Sequence, residues 1–178
     1  IGWMLKRVYG LPYLISLRGA DVPSDEVKRF AKHYKILRPF VRWLWRDADA
    51  LVAVSNGLRE YAFETTPDVP INVVSNAIEL SVFTPPRQRS HDGPVRLLFV
   101  GRFNAFKNVE TLLETVDHLK NMGVNNFELQ LIGDGERRSS LERLAVEKEL
   151  TRQVHFLGWV DREAIVDRYR QADLFVTA

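Results

Sequence analysis

Short runs of apolar residues alternate along the second half of the chain with longer segments in which apolar residues recur every three to four positions. The runs predict strands at Val95–Val100, Phe127–Ile132, residues 154–157 and residues 174–177. The periodic segments predict helices over residues 108–122, 138–149 and 161–172. Because each strand leads into a helix through a short loop, the pattern predicts an α/β fold with a Rossmann-like, doubly wound parallel sheet.

Inward-facing residues are predicted for two of these helices, the one over residues 108–122 and the one over residues 161–172. Asn108 is predicted as the N-cap of the helix over residues 108–122. The inward positions of that helix are predicted to be Val109, Leu112, Leu113, Val116, Leu119 and Met122. Those of the last helix are predicted to be Ile165, Val166, Tyr169 and Ala172. Both sets fall on one helical face, which indicates helices that cover a sheet.

The first half of the chain predicts part of a second Rossmann-like domain. Strands are predicted at residues 12–17, 50–54 and 71–74, with a short helix at residues 58–63. A long helical segment covers residues 24–47, and Pro39 is expected to split or kink it. One stripe of this segment is apolar, with Phe30, Tyr34, Leu37, Val41 and Leu44. The opposite stripe is basic, with Lys28, Lys32, Lys35, Arg38, Arg42 and Arg46.

A polar, proline-rich stretch at residues 84–94, TPPRQRSHDGP, lacks any periodicity and predicts a linker. The expected organisation is therefore a partial domain over residues 1–83, the linker, and an incomplete domain over residues 95–178. The chain opens like the tail of a helix and closes on the strand-like ADLFVTA. We expect it to be a fragment cut at both ends.

Composition narrows the class of protein. The formal net charge of the 178 residues is +2, so we expect no nucleic-acid partner. The chain has no cysteine, which excludes disulfides and thiolate metal sites and fits a cytoplasmic protein. The four histidines lack metal-binding spacing, so no metal is predicted. No apolar run approaches the length of a membrane span.

The loop after the strand at Val95–Val100 carries the strongest candidate chemistry. Gly101 ends the strand, Arg102 and Lys107 lie in the loop, and a helix follows. In an open α/β sheet this loop lies at the carboxyl edge, where ligands bind. A helix N-terminus with two nearby cations favours a phosphate or diphosphate. The alternative is a pair of solvated surface cations.

Three successive strand-to-helix loops contain glycine, namely GRFNAFK, GDGE and GWVD. Glycines there let backbone N–H groups approach a ligand, so the three loops together predict a pocket. A dinucleotide-dependent dehydrogenase is not favoured. Its fingerprint requires three spaced glycines, whereas the first loop offers one glycine followed by Arg102.

Five segments carry a resemblance to a known family. They are ADALVAVS at residues 48–55, VSNAIELSVFTP at 74–85, VGRFNAFKNVETLLE at 100–114, LIGDGE at 131–136, and LGWV with YRQADLFVTA near the end. In order and spacing the chain resembles GT-B glycosyltransferases of the group 1, or family 4, type over nearly its whole length. The segment at residues 74–85 resembles the family's hinge.

The resemblance implies transfer of a sugar from a nucleotide-diphosphate-sugar donor to an acceptor, with retention at the anomeric carbon and without metal or cofactor. Arg102 and Lys107 would be catalytic, because they would bind the donor diphosphate and stabilise the leaving group. The other residues implied in donor binding are Gly101, Gly133, Asp134, Leu157, Gly158 and Trp159. The last three would lie at the nucleobase. The alternative for Trp159 is an aromatic packed between helix and strand.

The chain departs from the family pattern in three places. Ala77 and Glu79 replace the glycine and aspartate of the hinge motif, and Arg18 stands where many relatives have a histidine. Arg18, Asp21 and Asn76 are kept as cleft candidates on the acceptor-side domain. The family's pair of donor-binding glutamates would lie after Ala178. We therefore expect the isolated chain to be catalytically inert, although it can bind nucleotide weakly.

Other functions stay open from the residues alone. A nucleotide-sugar epimerase or a phosphorylase has the same architecture. The basic helix could instead belong to a non-catalytic nucleotide- or membrane-binding module, or it could be a solvated helix face over a core stripe. Within the glycosyltransferase reading, it suggests a saccharide or lipid-linked acceptor and peripheral association with an anionic membrane. That would place the enzyme at the inner face of the membrane, in polysaccharide or glycolipid biosynthesis.

Overall fold

The computed structural model describes residues 1–19, 22, 31–85 and 93–178, and the side chains within these ranges except those of residues 31–35. The chain divides into two compact units, residues 1–78 and 79–178. Each unit has its own parallel sheet and its own apolar core. Residues 86–92 of the expected linker lie outside the described residues, so the linker stays a prediction.

The first unit contains three helices and three strands in its described part. Its elements are α1 (Gly2–Tyr9), β1 (Leu14–Leu17), α2 (Ala31–Asp47), β2 (Ala50–Ala53), α3 (Asn56–Thr65) and β3 (Ile71–Val73). The strands lie in the order β1-β2-β3 and all pairs are parallel. Helix α3 begins at Asn56, two residues before the predicted start, because Ser55 caps it by accepting a hydrogen bond from the Leu58 N–H at 3.2 Å.

The core of the first unit lies where alternate strand residues meet the helices. Leu17, Leu51 and Ala53 are buried on one side of the sheet, together with Ala62 of α3. Trp45 is only 3% exposed and anchors the C-terminal part of α2 against these residues. Burying a side chain of this size removes a large apolar area from water, so Trp45 contributes strongly to holding α2 on the sheet.

Helix α2 corrects two details of the sequence analysis. It continues through Pro39 as one helix, so of the two expected effects of Pro39, a split or a kink, the split does not occur. Pro39 is exposed, and its ring therefore costs the helix a hydrogen bond without displacing the core. Leu37, predicted to face inward, is 53% exposed, whereas Val41 and Leu44 are half-buried. The inward face is instead centred on Trp45, at the end of the helix nearest the sheet.

The second unit alternates strands and helices as predicted. Its elements are β4 (Val95–Val100), α4 (Val109–Asn121), β5 (Phe127–Ile132), α5 (Arg138–Glu147), β6 (Val154–Gly158), α6 (Arg162–Gln171) and β7 (Leu174–Phe175). The sheet order is β6-β5-β4-β7, and every neighbouring pair is parallel. The prediction of an α/β fold with a doubly wound parallel sheet is confirmed.

The strand order places the helices of the second unit on two faces of the sheet. Phe99 and Leu131 face the cluster that includes Leu113 of α4 and Leu141 of α5. Leu98 and Ile132 face the opposite cluster, which includes Ala172 and the inward residues of α6. The predicted inward set of α4 is wrong at Met122. Helix α4 ends at Asn121, and Met122 is its C-cap and 66% exposed.

No helix in the described ranges is both long enough and apolar enough to span a bilayer.

Candidate functional site

The loops after β4, β5 and β6 lie at one edge of the second unit's sheet, because these three neighbouring strands are parallel. The chain winds outward from β4 to β5 and β6, and then returns to place β7 on the other side of β4. Adjacent strands whose connections run in opposite directions leave a crevice at their carboxyl ends. The loop after β4 therefore lies at the position where open α/β sheets bind ligands.

Three of the predicted residues form a row across the strand ends, which we call the glycine row: Gly101, Gly133 and Gly158. The Gly101 N–H donates to the Ile132 carbonyl at 2.9 Å, and the Gly133 N–H donates to the Gly158 carbonyl at 2.8 Å. A Cβ on Gly133 would lie 1.9 Å from the Gly101 carbonyl oxygen, and Gly133 has φ 135°. Only glycine fits this close approach of two backbones.

Phe103 joins the first two loops and was not predicted. Its N–H donates to the Asp134 carbonyl at 2.9 Å, and its own carbonyl accepts from the Arg137 N–H at 3.1 Å. The ring is fully buried and lies 6.1 Å from the Phe156 ring in an edge-to-face arrangement. The loop GRFNAFK holds two phenylalanines, and the sequence does not tell the buried Phe103 from Phe106, which is 71% exposed. Phe103 therefore fixes the backbone directly after Arg102.

The loop between Phe103 and α4 is shaped by its asparagines. The Asn104 side-chain oxygen accepts from the Lys107 N–H at 3.1 Å and begins a short 3₁₀ turn, Ala105–Lys107. Asn108 precedes α4 as predicted but does not cap it with its side chain, because it has a left-handed backbone, φ 42°. Its side-chain amide donates to the Thr111 hydroxyl instead, at 2.7 Å. Lys107 is thereby held at the entrance to α4.

Arg102 and Lys107 are exposed and, among the residues that the structure describes, neither side chain makes a hydrogen bond or ion pair. Other cations of these loops are paired. Arg137 binds the Glu110 carboxylate, and Arg138 binds Asp134 at 3.2 Å and Glu142 at 2.8 Å. Two cations without a described partner at a sheet edge and beside a helix N-terminus can accept an external anion.

The Asp134 carboxylate is used within its own loop. It accepts from the Gly135 N–H at 2.7 Å and from the Arg138 guanidinium. These two hydrogen bonds, the backbone one above all, hold the pKa of Asp134 below its usual value. Asp134 is therefore ionised at neutral pH and shapes the turn into α5.

The loop after β6 presents an exposed aromatic residue. Gly158 has φ 72° and lies where the pairing of β5 with β6 shifts register. Leu157 is half-buried against the α6 side of the sheet, and Trp159 is 78% exposed. The alternative in which Trp159 packs between helix and strand is wrong, since a packed indole would be buried. Asp161 then caps α6 by accepting from the Ala164 N–H at 2.8 Å.

The remaining candidates belong to the first unit. Arg18 follows β1 and Asn76 follows β3, and both are exposed near the carboxyl edge of that unit's parallel sheet. Asp21 lies outside the described residues. The first unit thus also presents polar side chains where its parallel strands end.

Taken together, the structure shows an α/β protein with a doubly wound parallel sheet and two exposed cations, Arg102 and Lys107, in the loop at its switch point. The family model described as glycosyl transferases group 1 matches residues 83–178. The chain belongs to this family, and its architecture is the GT-B glycosyltransferase fold.

Curated relatives agree with this assignment. The chain is 30% identical over 148 residues to the putative glycosyltransferase EpsF of Bacillus subtilis, a match that covers 77% of this chain and 38% of the relative. It is 26% identical over 172 residues to the alpha-monoglucosyldiacylglycerol synthase of Streptococcus pneumoniae, covering 87% of this chain and 38% of the relative. The chain spans between a third and a half of the length of the first curated relatives it matches.

Among solved structures, Anabaena HepE in complex with UDP-glucose superposes with a TM-score of 0.75 at 15% identity. The superposition covers 99% of this chain and 49% of the HepE chain. The TM-score establishes a shared fold, and at 15% identity the likeness extends to the fold alone.

Proposed function

We propose that the protein containing this chain transfers a sugar from a nucleotide-diphosphate-sugar donor to a saccharide or lipid-linked acceptor, with retention at the anomeric carbon. The observation that carries the proposal is the pair of exposed cations, Arg102 and Lys107, at the end of β4. Membership of the group 1 family supports the reaction class, and the UDP-glucose bound to HepE supports the donor class.

The two cations have complementary chemistry toward a diphosphate. When the bond between the anomeric carbon and the phosphate oxygen breaks, negative charge develops on the departing nucleoside diphosphate. Arg102 can bind two oxygens at once through its planar guanidinium, whereas Lys107 is a compact point charge. Phe103 and Asn104 fix the backbone of the loop before the reaction. The charges of Arg102 and Lys107 therefore need little reorganisation as the leaving group departs. The proposal requires no metal or cofactor.

The loop after β6 is proposed to receive the nucleobase. Gly158 brings backbone close to the edge of the sheet, and Leu157 supplies apolar contact beside it. The exposed indole of Trp159 offers a flat surface on which a base can stack. Gly101, Gly133 and Asp134 are proposed to line the cleft between base and diphosphate. In the first unit, Arg18 and Asn76 are proposed to contact the acceptor, and Asp21 stays a candidate from the sequence alone.

Nucleotide binding to the 178-residue chain tests the anion site. UDP, GDP, ADP and their glucose esters are titrated calorimetrically into the chain and into R102A and K107A. We expect one nucleotide series to bind, and each variant to weaken its binding by roughly tenfold or more. Arg152→Ala is the matched control, since Arg152 is an exposed arginine just before β6, at the opposite edge of the sheet. Equal binding by all four proteins, or by none, would contradict the proposal.

The reaction itself is tested on the full-length protein. We expect it to form a glycosidic bond from the nucleotide sugar that binds, with the anomeric configuration preserved in the product by NMR. Isomerised nucleotide sugar without acceptor would identify an epimerase, and phosphate-dependent cleavage would identify a phosphorylase. The isolated 178 residues are expected to bind nucleotide without transferring sugar, and transfer by them would overturn that expectation.

A lipid-linked acceptor is favoured by the exposed side of α2, which we call the apolar α2 face: Ile36, Leu37, Phe40 and Trp43. These side chains are 80%, 53%, 58% and 40% exposed. The Trp43 ring also contacts Trp3 of α1, with ring centroids 5.1 Å apart. Apolar and aromatic groups of this kind insert at the membrane interface. A glucosyldiacylglycerol synthase among the relatives supports a lipid acceptor.

Two residues of the basic stripe, Arg38 and Arg46, are paired within the first unit. Arg38 donates to the Glu64 carbonyl at 2.6 Å, and Arg46 forms a two-bond ion pair with Asp68 at 2.8 and 3.0 Å. Both guanidinium groups therefore hold α2 to neighbouring segments of the same unit. The proposal is thus peripheral attachment through apolar contacts, at the inner face of a membrane in glycolipid or polysaccharide biosynthesis.

Vesicle flotation tests the membrane proposal. We expect binding to vesicles of phosphatidylglycerol and phosphatidylcholine that is reduced several-fold by F40D and unchanged by Y61D, since Tyr61 is an exposed aromatic of α3. R42E tests the electrostatic contribution of the basic stripe, and we expect this charge reversal to lower binding to the anionic vesicles. Vesicle binding that survives K107A with no nucleotide binding in any variant would favour a non-catalytic membrane module. No binding by the unmodified chain would remove the membrane proposal.

A further inference from the structure

The chain enters the second unit through residues 79–85, which we call the connecting segment. The segment begins with a turn, in which the Val82 and Phe83 N–H groups both donate to the Glu79 carbonyl, at 3.1 and 3.2 Å. After the turn, its backbone and side-chain oxygens point at a single guanidinium. Arg170 donates to the Val82 carbonyl at 3.1 Å, to the Thr84 carbonyl at 3.3 Å and to the Thr84 hydroxyl at 3.2 Å.

An aromatic contact beside this guanidinium holds the same segment. The Phe83 ring packs edge-to-face on the Tyr169 ring, with centroids 6.1 Å apart. Tyr169 in turn contacts Phe175 of β7 at 5.7 Å, and burial raises the pKa of its hydroxyl. Two consecutive residues of α6 therefore bind three consecutive residues of the connecting segment. Arg170 binds Val82 and Thr84 through polar groups. Tyr169 binds Phe83 through its ring.

Helix α6 connects this attachment to the candidate nucleobase loop. It starts at Arg162, directly after its cap residue Asp161, and the exposed Trp159 lies two residues before that cap. It ends at Gln171, one residue past Arg170. A helix of ten residues spans about 15 Å and is stiff at that length. The loop predicted to receive the base and the segment that joins the two units are thus held by opposite ends of one short helix.

We propose that Arg170 is a positioning residue for sugar transfer, which fixes the point at which the first unit is tethered to the donor-binding unit. This inference rests on the proposed function, in which residues of both units contribute to the reaction. If the tether is loose, the catalytically competent arrangement of the full-length protein is populated for less of the time. The apparent affinity for the donor then falls in proportion, while the chemical step within that arrangement is unchanged.

The experiment compares R170A, R170K and R168A in the full-length protein. Arg168 is the matched control, because it lies two residues earlier in α6, has the same charge and makes no side-chain hydrogen bond or ion pair within the described ranges. Hydrogen exchange is followed for the peptide covering residues 79–85, together with thermal stability and with KM and kcat for the nucleotide sugar. Nucleotide affinity of each protein is measured separately.

We expect R170A to speed exchange in the connecting segment and to raise KM for the donor roughly fivefold with kcat unchanged, as loss of about 1 kcal/mol of tethering would. R170K retains the charge but cannot span several acceptors, so it should recover only part of the loss. R168A should match the unmodified protein in hydrogen exchange, thermal stability, KM, kcat and nucleotide affinity.

Two results would overturn the inference. Unchanged exchange in R170A would mean that the guanidinium does not restrain the segment. A parallel fall in kcat, thermal stability and nucleotide affinity would mean that Arg170 acts on the fold alone. Failure of the proposed function is seen separately, in the unmodified protein: no nucleotide binding and no transfer there would remove the enzyme reading, and the inference with it.

Discussion

At the scale of single residues, Gly133 is the position that the candidate site tolerates least. Its φ of 135° is strained for any other residue, and a Cβ would lie 1.9 Å from the Gly101 carbonyl oxygen. We expect G133A to lower the free energy of unfolding of the second unit by about 2–4 kcal/mol, because the loops after β4 and β5 must separate. Chemical denaturation followed by circular dichroism measures the change.

The matched control for this variant is G123A. Gly123 also has a positive φ, 83°, but a Cβ there would meet nothing within 4 Å. Its loss should therefore be limited to backbone strain, about 1 kcal/mol. If the two variants lose the same stability, the close backbone approach in the glycine row does not matter to the fold.

Asp134 gives the candidate site a pH dependence of definite sign. Its pKa in the folded chain is lowered from 3.8 by the Gly135 N–H and by Arg138. The ionised carboxylate therefore stabilises the folded state at neutral pH, and this contribution is lost as the pH falls through the lowered pKa. We expect D134N to be less stable than the unmodified chain at pH 7 and to approach it as the pH falls below 3.8 and through the lowered pKa of Asp134. Denaturation midpoints across that range measure this.

Glu136 provides the comparison for Asp134. It is an exposed carboxylate two residues away, with no side-chain hydrogen bond or ion pair in the part of the chain that the structure describes. E136Q should differ little from the unmodified chain at either pH. A stability difference for D134N that stays constant as the pH is lowered from 7 until the unmodified chain itself unfolds in acid would show that its carboxylate charge is not what stabilises the loop.

At the scale of elements, α2 contains an avoidable defect. Pro39 lies inside the helix and is exposed, so it removes a backbone donor without contributing to the core. We expect P39A to raise the stability of the first unit by about 1–3 kcal/mol, because one helical hydrogen bond is restored and the ring's clash is removed. Denaturation is monitored by tryptophan fluorescence, since three of the four tryptophans, the buried Trp45 among them, lie in the first unit.

The control for P39A is an exposed residue of the same helix. Ile36 is 80% exposed, and I36A changes neither the backbone donors nor the core. Its stability should remain within about 0.5 kcal/mol of the unmodified chain. A destabilised P39A would instead show that the proline is required for the path of the helix.

Element prediction succeeded where burial was one-sided and failed where tertiary contacts set the limits. The strand at Phe127–Ile132 was predicted to the residue, because its run of apolar residues is bounded by polar ones and glycine. Leu37 and Met122 were placed inward and are exposed. Helical period identifies a face but not which turns of that face meet the sheet, and both residues lie outside the turns that do.

At the scale of the whole molecule, nucleotide binding should act through the second unit. With a nucleotide present at about 100 times its dissociation constant, we expect its unfolding free energy to rise by about 2.7 kcal/mol. Hydrogen exchange should slow in three separate loops, residues 101–108, 133–137 and 158–160. At the same nucleotide concentration, a K107A variant that binds tenfold more weakly should gain only about half of this stabilisation, whereas R152A should gain all of it. Protection spread evenly over the second unit, without these maxima, would argue against a ligand bound at the sheet edge.

The sequence by itself determined the order of strands and helices, the doubly wound class and the loop that carries Arg102 and Lys107. These follow from hydrophobic period and from glycine at strand ends, which are local properties of the chain. Family membership, through the order of its motifs, was readable for the same reason.

Only the tertiary structure decided which residues distant in sequence contact one another at the candidate site and at the connecting segment. The role of Phe103, the close approach of Gly133 to Gly101 and the attachment of the connecting segment by Arg170 all join residues distant in sequence. Such contacts depend on strand order, because β5 and β7 flank β4 only once the chain has wound in both directions from it. The hydrophobic pattern of the sequence does not tell which partner an arginine on a helix surface has. Arg170 therefore could not be distinguished from the other arginines of α6 by sequence alone.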